Sequence, residues 1–173
     1  MKLDKFADDN GRADEKKLAN YAAPLPNLYF DSIAQFKAKF SNKQGKFGYI
    51  QTPYKPVKVD MAYAYAHFYK NTSGANRGFI KPAFFETFTD PLFIAKNAKN
   101  GKDSVYFYKP FYFEKELEKG GKKEKQKIFL GLFGVGVDKD GKVDFATFYR
   151  DISGSRFKEM LNLSDENIVY MKE

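Results

Sequence analysis

The chain has 173 residues, a formal net charge of +8 at pH 7, 19 Phe and 12 Tyr, and neither Cys nor Trp. This length fits one domain with a sizeable core, and the absence of Cys excludes disulfides and thiolate zinc sites. No segment approaches the roughly 20 apolar residues of a membrane-spanning helix, and the charged first residues do not resemble a signal peptide. We therefore expect a protein without membrane segments, located in the cytoplasm or delivered into a target cell, and the basic excess favours a polyanionic partner.

The N-terminal residues differ from the rest of the chain. Residues 1–27 are polar, with one predicted helix over 14–22 and a turn-forming segment with two prolines at 23–27. We interpret residues 1–27 as an arm or connector and residues 28–173 as a single α+β domain. A second helix is predicted over residues 31–40, because its apolar side chains recur at helical spacing and Asp31 or Ser32 can cap it.

The middle of the chain mixes extended and helical patterns. Residues 46–59 contain two prolines, which indicates an edge strand or a loop. Asp60 is the predicted N-cap of a helix that ends near residue 69, and a loop follows it. Pro82 then begins a short helix, which Asp90 and the proline after it end.

The second half is predicted to consist mainly of strands. Asp140 and Gly141 are typical of a type I′ hairpin turn, and residues 114–125 are predicted to form a charged loop. A helix is expected from Ser153 or Ser155 to Leu161. The predicted strands cover residues 92–95, 104–113, 127–137, 143–149 and 168–171. This order predicts an α+β fold in which N-terminal helices precede an antiparallel sheet of four or slightly more strands, with a helix packed on it.

Three glycines and three aspartates invite nucleotide or calcium interpretations that the pattern does not favour. Gly131, Gly134 and Gly136 lie within an apolar strand pattern, and no Gly-Lys-Ser/Thr follows them, so we expect a bulge or a close approach of another group. The acidic residues around the Asp140 turn lack the Gly and Glu positions of a calcium loop. We expect neither a metal nor another cofactor.

Several polar side chains stand out as candidates for chemistry. His67 is the only histidine, and it is the natural acid–base candidate, with an inert helix histidine as the alternative. Lys109 lies within an aromatic strand and Arg150 at the end of another, where a charge is costly unless it faces water or a ligand. Tyr108 and Lys109 must point to opposite faces of the sheet, as must Tyr149 and Arg150. A solvated sheet face is the alternative interpretation.

The lysine-rich segment at residues 115–127, together with Glu114 before it, contains six Lys and four Glu. Because the net charge of this segment is only +2, a solvated hairpin tip is the simplest interpretation. Contact with a nucleic-acid backbone is the alternative.

Several segments together carry a resemblance to a known family. They read, in order, TPYKPVKVDMAYAYAHFYKN, FIKPAFFETFTDPLFIAKN, SVYFYKPFYF and KIFLGLFGVGVDKDGKVDFATFYRD. From about residue 45 onward, this order resembles the phage-associated barnase–EndoU–colicin–RelE-like nuclease domains. The resemblance implies N-terminal helices before a four-stranded antiparallel sheet, and metal-independent endoribonuclease activity. In that chemistry a 2′-OH attacks the adjacent phosphate and leaves a 2′,3′-cyclic phosphate.

The resemblance also implies roles for individual residues. His67 would be the general base or acid, Arg150 would hold the phosphate, and Tyr149 or Thr147 would donate to it. The predicted catalytic residues are His67, Lys109, Thr147, Tyr149 and Arg150, and the predicted substrate-binding residues are Arg77, Lys81 and Tyr108. The expected partners are RNA and an immunity or phage protein, and the chain would act as a monomeric toxin or effector of a mobile element.

Two other functions agree with the same sequence. One is a non-catalytic module that binds nucleic acid or protein through its basic face, with affinity for nucleic acid that falls as salt rises. The other is a structural or assembly protein in which an exposed edge strand at residues 168–171 joins copies of the chain.

Overall fold

The computed structural model describes residues 3–27, 30–67, 80–99 and 102–172. Within them, nine strands form one sheet. The strands are β1 (Ala23–Pro24), β2 (Asn42–Gln44), β3 (Phe47–Ile50), β4 (Val57–Asp60), β5 (Phe93–Lys99), β6 (Lys102–Lys119), β7 (Lys122–Lys139), β8 (Lys142–Arg150) and β9 (Ile168–Met171). Their order across the sheet is β2-β3-β4-β8-β7-β6-β5-β9, and β1 pairs with β6.

The predicted antiparallel sheet of four or slightly more strands is wrong, because the sheet has nine strands and is mixed. β5, β6, β7 and β8 do pair antiparallel in chain order, but β4 pairs with β8, and β1 with β6, in parallel. The segment predicted as an edge strand or loop supplies β3 and β4. Pro53 and Pro56 fall in the connection between these strands, so neither removes an N–H group that the sheet requires.

Five short α-helices accompany the sheet within the described residues. They are α1 (Glu15–Leu18), α2 (Ile33–Ala38), α3 (Met61–Tyr65), α4 (Phe84–Thr89) and α5 (Ser155–Leu161). The predicted caps Ser32 and Asp60 are confirmed, since their side chains accept hydrogen bonds from the backbone N–H groups of Gln35 and Tyr63. No helix in the described part of the chain has the length and hydropathy needed to cross a membrane.

Both faces of the sheet are covered, because alternate residues of its central strands are apolar on both sides. Phe107 and Phe111 face one side, where they pack with residues of α2, α3 and α4. Tyr106 and Tyr108 face the other, where they pack with Phe157 of α5 and with the N-terminal segment. We call these the helical face and the N-terminal face.

The N-terminal segment contributes directly to the core. Leu3, Phe6 and Leu18 are almost completely buried in the cluster on the N-terminal face. Burial of three large apolar side chains attaches this part of the chain firmly to the sheet. Much of the segment interpreted above as an arm or connector therefore covers the N-terminal face of the sheet together with α5.

The glycines of β7 mark close approaches, as the sequence predicts. A Cβ atom at Gly134 would lie 2.4 Å from the Phe88 ring, and one at Gly136 would lie 2.6 Å from the backbone oxygen of Asp144. The pairing of β7 with β8 shifts between Val135 and Gly136, which is a β-bulge. The absence of side chains here allows α4 and β8 to lie directly against β7.

Candidate nucleic-acid interface

The most prominent surface feature is a two-stranded ribbon formed by the ends of β6 and β7. The predicted charged loop is instead a continuous ladder in which pairing runs as far as Lys119 and Lys122. Only Gly120 and Gly121 form the turn, with φ angles of +58° and +81° that glycine adopts without strain. We call residues 114–127 the lysine ribbon.

The lysine ribbon extends beyond the rest of the sheet. β5 pairs with β6 only as far as Tyr108, β1 only as far as Tyr112, and β8 pairs with β7 only from Leu132 onward. All ribbon residues are exposed apart from Leu117, which is half-buried. At about 3.3 Å per residue, the ribbon projects roughly 20 Å from the sheet.

The register of the ladder sorts the ribbon's charges by face. On one face, Glu114 pairs with Lys127, Glu116 with Lys125 and Glu118 with Lys123. Opposite charges therefore stand across from one another along this whole face, which we call the paired face. Its three Glu and three Lys residues give it no net charge.

The opposite face carries all of the ribbon's net charge. There Lys115 lies across from Gln126, Leu117 from Glu124, and Lys119 from Lys122. Like charges directly across two strands destabilise the pairing, so the Lys119–Lys122 pair has no stabilising role of its own. We call this the cationic face; its three Lys and one Glu give it a net charge of +2.

Lys109, a predicted catalytic residue, is buried on the helical face. Its side chain is only 4% exposed, and its Nζ donates to the backbone oxygen of Asp90 at 2.7 Å and to Oδ2 of the same residue at 2.8 Å. Nζ of Lys172 donates to both oxygens of the Asp90 carboxylate, at 2.8 Å to Oδ1 and 2.9 Å to Oδ2. Burial raises the pKa of Asp90, but the hydrogen bonds from both lysines outweigh it and leave the pKa lowered.

Arg150 lies in the same row of the sheet as Lys109, with Leu132 between them. Two strand spacings, about 10 Å, separate the backbones of the two basic residues. The Arg150 guanidinium donates to the backbone oxygen of Phe129 at 3.2 Å, whereas Lys109 is held by Asp90. The two basic residues share a row of the sheet, as the alternation allows, but their side chains have separate partners.

Arg150 also lines a polar cleft between the N-terminal segment and the start of α5. The cleft has a volume of about 200 Å³, and we call it the arginine cleft. Arg12 also lines it. Among the described residues, neither guanidinium forms an ion pair with a carboxylate. The remaining charged residues that line the arginine cleft are Asp8, Glu15 and Asp151.

Thr147 and Tyr149 lie on the N-terminal face. Tyr149 pairs with Phe133, whose ring belongs to that face, and its hydroxyl accepts a hydrogen bond from Nε of Arg156 at 3.1 Å. Burial raises the pKa of Tyr149 to about 12. Arg156 is a cation that the sequence analysis missed, because it reaches Tyr149 from α5 through tertiary packing and no strand alternation marks it.

Tyr108, predicted to bind substrate, is a core residue. Its ring stacks on Phe93 at 5.0 Å between centroids and is 1% exposed. Its hydroxyl is buried against Gly131 and has no hydrogen-bond partner among the described residues. Burial raises the pKa of this hydroxyl far above its usual value.

Two of the remaining predicted residues, His67 and Lys81, lie on or near helices. His67, just after α3, stacks its ring on Tyr63 at 5.4 Å and is half-buried. Lys81 begins the short turn before α4, where burial lowers its pKa. Arg77 lies outside the described residues. The roles predicted for these three side chains remain predictions.

No protein-family model, curated protein or solved structure matches this chain. The functional interpretation therefore depends on the charge and geometry of the residues described above. The packing of the core does not require the arrangement of the lysines on the cationic face. We therefore base the functional interpretation on this face of the lysine ribbon.

Proposed function

We propose that the protein is a nucleic-acid-binding module whose lysine ribbon contacts the phosphate backbone with its cationic face. The observation that carries this proposal is the register of β6 and β7, which places Lys115, Lys119 and Lys122 together on an exposed surface. Phosphate contacts by lysine supply most of the affinity of sequence-independent binding. A two-stranded β-ribbon also has the width that a nucleic-acid groove admits.

Binding is favoured over catalysis as the main function because the predicted catalytic side chains are divided. Thr147 and Tyr149 lie on the N-terminal face, whereas Lys109 is buried on the helical face in an ion pair with Asp90. A general base and a phosphate-binding cation must both reach the same reacting group. The lysine ribbon needs no such convergence, since its lysines act as separate phosphate contacts.

Salt dependence of binding tests the proposal. Fluorescence anisotropy with labelled RNA and DNA oligonucleotides of the same sequence would give the affinity between 50 and 300 mM salt. If three lysines neutralise phosphates, we expect the logarithm of the association constant to fall with the logarithm of salt concentration, with a slope of about −2 on single strands and about −3 on duplexes. No binding at low salt, or binding that salt does not weaken, would contradict the proposal.

Metal-independent RNA cleavage is a second candidate, favoured by the arginine cleft. Arg150, predicted to hold phosphate, and Arg12 supply cations of the kind that stabilise charge on a reacting phosphate. Backbone hydrogen bonds, chiefly from Arg12, lower the pKa of Asp8, and Asp151 accepts from the N–H groups of α5. Within the described part of the chain, no donor is hydrogen-bonded to Glu15, which leaves its carboxylate available as a general base.

Incubation of the protein with total RNA in EDTA tests this second candidate. Cleavage that is lost in both Arg12→Ala and Arg150→Ala would support catalysis in the cleft, and a parallel His67→Ala variant would show whether the histidine takes part. RNA that stays intact at high protein excess would eliminate the activity while leaving the binding proposal untouched.

A further inference from the structure

A pocket of about 420 Å³ opens beside α4 on the helical side of the molecule. Its volume lies within the range of small-molecule sites. Its walls come from α4, from the ends of α2 and β3, and from the segment after β1. The lining residues are Pro26, Lys39, Ser41, Ile50, Gln51, Pro82, Phe85, Glu86 and Thr89. We call this the α4 pocket.

The carboxylate of Glu86 is the acceptor that the α4 pocket offers to a ligand. Glu86 is half-buried, and among the described residues no side chain or backbone N–H donates to its carboxylate. Burial raises the pKa of this group. A half-buried carboxylate without donors gains most from a ligand that brings N–H groups to it.

The charges around Glu86 disfavour a cationic ligand. Lys109 and Lys172 lie close enough to lower its pKa, Asp90 acts in the opposite direction, and Lys39 lines the same pocket. These five groups comprise three cations and two anions, so their formal sum is +1. A neutral group with N–H donors therefore suits the pocket better than an amine does.

The other walls suit a flat ring. Phe85 lines the pocket with a half-buried ring that also packs against the rings of Phe36, Phe40 and Phe84. Pro26 and the buried Pro82 complete the apolar lining. Unstacked bases of single-stranded nucleic acid bind to proteins by stacking on such side chains and by hydrogen bonding through their edges. The amide of Gln51 and the hydroxyl of Ser41 can satisfy the ring's remaining polar groups.

We propose that the α4 pocket binds one unstacked nucleobase, whose exocyclic amino group donates to the carboxylate of Glu86. The proposal rests on the nucleic-acid-binding function proposed above, and it makes the preferred partner a single-stranded or looped region. The lysine ribbon would then hold the backbone, and the α4 pocket would read the chemistry of one base.

Uncharged nucleosides test the pocket without the ribbon, because they carry no phosphate. We expect NMR or calorimetric titration to show that cytidine, adenosine or guanosine, each with an exocyclic amino group, binds more tightly than uridine. Glu86→Gln should weaken that binding about tenfold or more. Binding should be insensitive to salt and should persist when Lys115, Lys119 and Lys122 are replaced by Gln.

Glu118→Gln is the matched control, since it removes the same charge from the exposed paired face of the ribbon. It should leave nucleoside binding unchanged. Glu86→Gln is expected to fold, because replacement of a half-buried carboxylate by an amide removes a desolvation cost. If none of the four nucleosides binds, or if Glu86→Gln binds them as tightly as the unaltered protein, the pocket proposal is overturned. Loss of oligonucleotide binding in the ribbon variant alone would bear only on the ribbon.

Discussion

The buried hydroxyl of Tyr108 sets an expectation at the scale of a single residue. It lies in the core against Gly131 without a hydrogen-bond partner among the described residues. An unsatisfied buried polar group costs about 1–3 kcal/mol, so Tyr108→Phe should raise the free energy of unfolding by about that amount. Urea denaturation measures this directly. Tyr149→Phe is the matched control, because it removes a hydrogen bond with Arg156 and should destabilise the protein by about 1 kcal/mol. A less stable Tyr108→Phe variant would show that the hydroxyl has a partner.

The ion pair between Lys109 and Asp90 predicts unequal effects of its two partners. Asp90→Asn leaves the buried Lys109 ammonium without its carboxylate, and we expect a loss of about 2 kcal/mol, less than for a fully buried pair because Asp90 is partly exposed. Lys109→Met removes the buried charge itself, and Asp90 keeps Lys172, so the loss should stay below about 1 kcal/mol. Equal losses in urea denaturation would contradict this account.

The same carboxylate makes stability depend on pH. The pKa of Asp90 is lower in the folded chain than its ordinary value of 3.8. Its contribution is therefore present above that value and is lost as pH falls through the folded pKa. Between pH 5 and pH 2, the free energy of unfolding of the Asp90→Asn variant should fall less than that of the unaltered protein. A parallel decline of both proteins would assign the acid sensitivity to other groups.

At the scale of elements, the bulge in β7 gives a prediction about glycine. Gly136→Ala would place a Cβ atom 2.6 Å from the backbone oxygen of Asp144, which the β7–β8 pairing holds in position. We expect a loss of about 3 kcal/mol. Gly45→Ala is the control: its chain neighbours apart, no atom of the described residues lies within 4 Å of its Cβ position, and its φ of +61° costs only about 1 kcal/mol. Similar melting temperatures for the two variants would indicate that the bulge can relax.

Local signals predicted some of these elements correctly. Ser32 and Asp60 cap their helices, and Asp140 and Gly141 adopt the positive φ angles of a type I′ turn. Each of these features is decided by a few neighbouring residues. The opposite faces of Tyr108 and Lys109 also follow from strand alternation alone.

Other elements depended on distant parts of the chain. The pairing of Val57 with Val143 joins segments far apart in sequence, and nothing local marks it. The lysine ribbon lacks apolar alternation, so its charged residues resemble a loop; the apolar part of β6 and β7 sets the register that the ribbon then continues. Asp90 and Arg156, the partners of Lys109 and Tyr149, are likewise brought to them only by tertiary packing.

At the scale of the whole molecule, the fold places part of the net charge of +8 on one side of a projecting ribbon. The sheet buries both of its faces, and the ribbon projects beyond them with one neutral and one cationic side. A variant in which two Glu–Lys pairs of the paired face are neutralised keeps the same net charge. Its substitutions are Glu116→Gln with Lys125→Gln and Glu118→Gln with Lys123→Gln. We expect this variant to bind oligonucleotides within about twofold of the unaltered protein, because no phosphate contact is lost.

The most direct measurement compares two variants of equal net charge in the same anisotropy titration. The first variant removes the three lysines of the cationic face by Lys115→Gln, Lys119→Gln and Lys122→Gln. The second removes three exposed lysines elsewhere by Lys16→Gln, Lys43→Gln and Lys139→Gln. Each set of substitutions lowers the formal charge from +8 to +5. We predict that the first variant loses about tenfold or more in affinity at 100 mM salt and most of its salt dependence, and that the second changes by less than about threefold. Equal losses in the two variants would show that binding follows net charge alone, and would contradict the assignment of the lysine ribbon as the nucleic-acid interface.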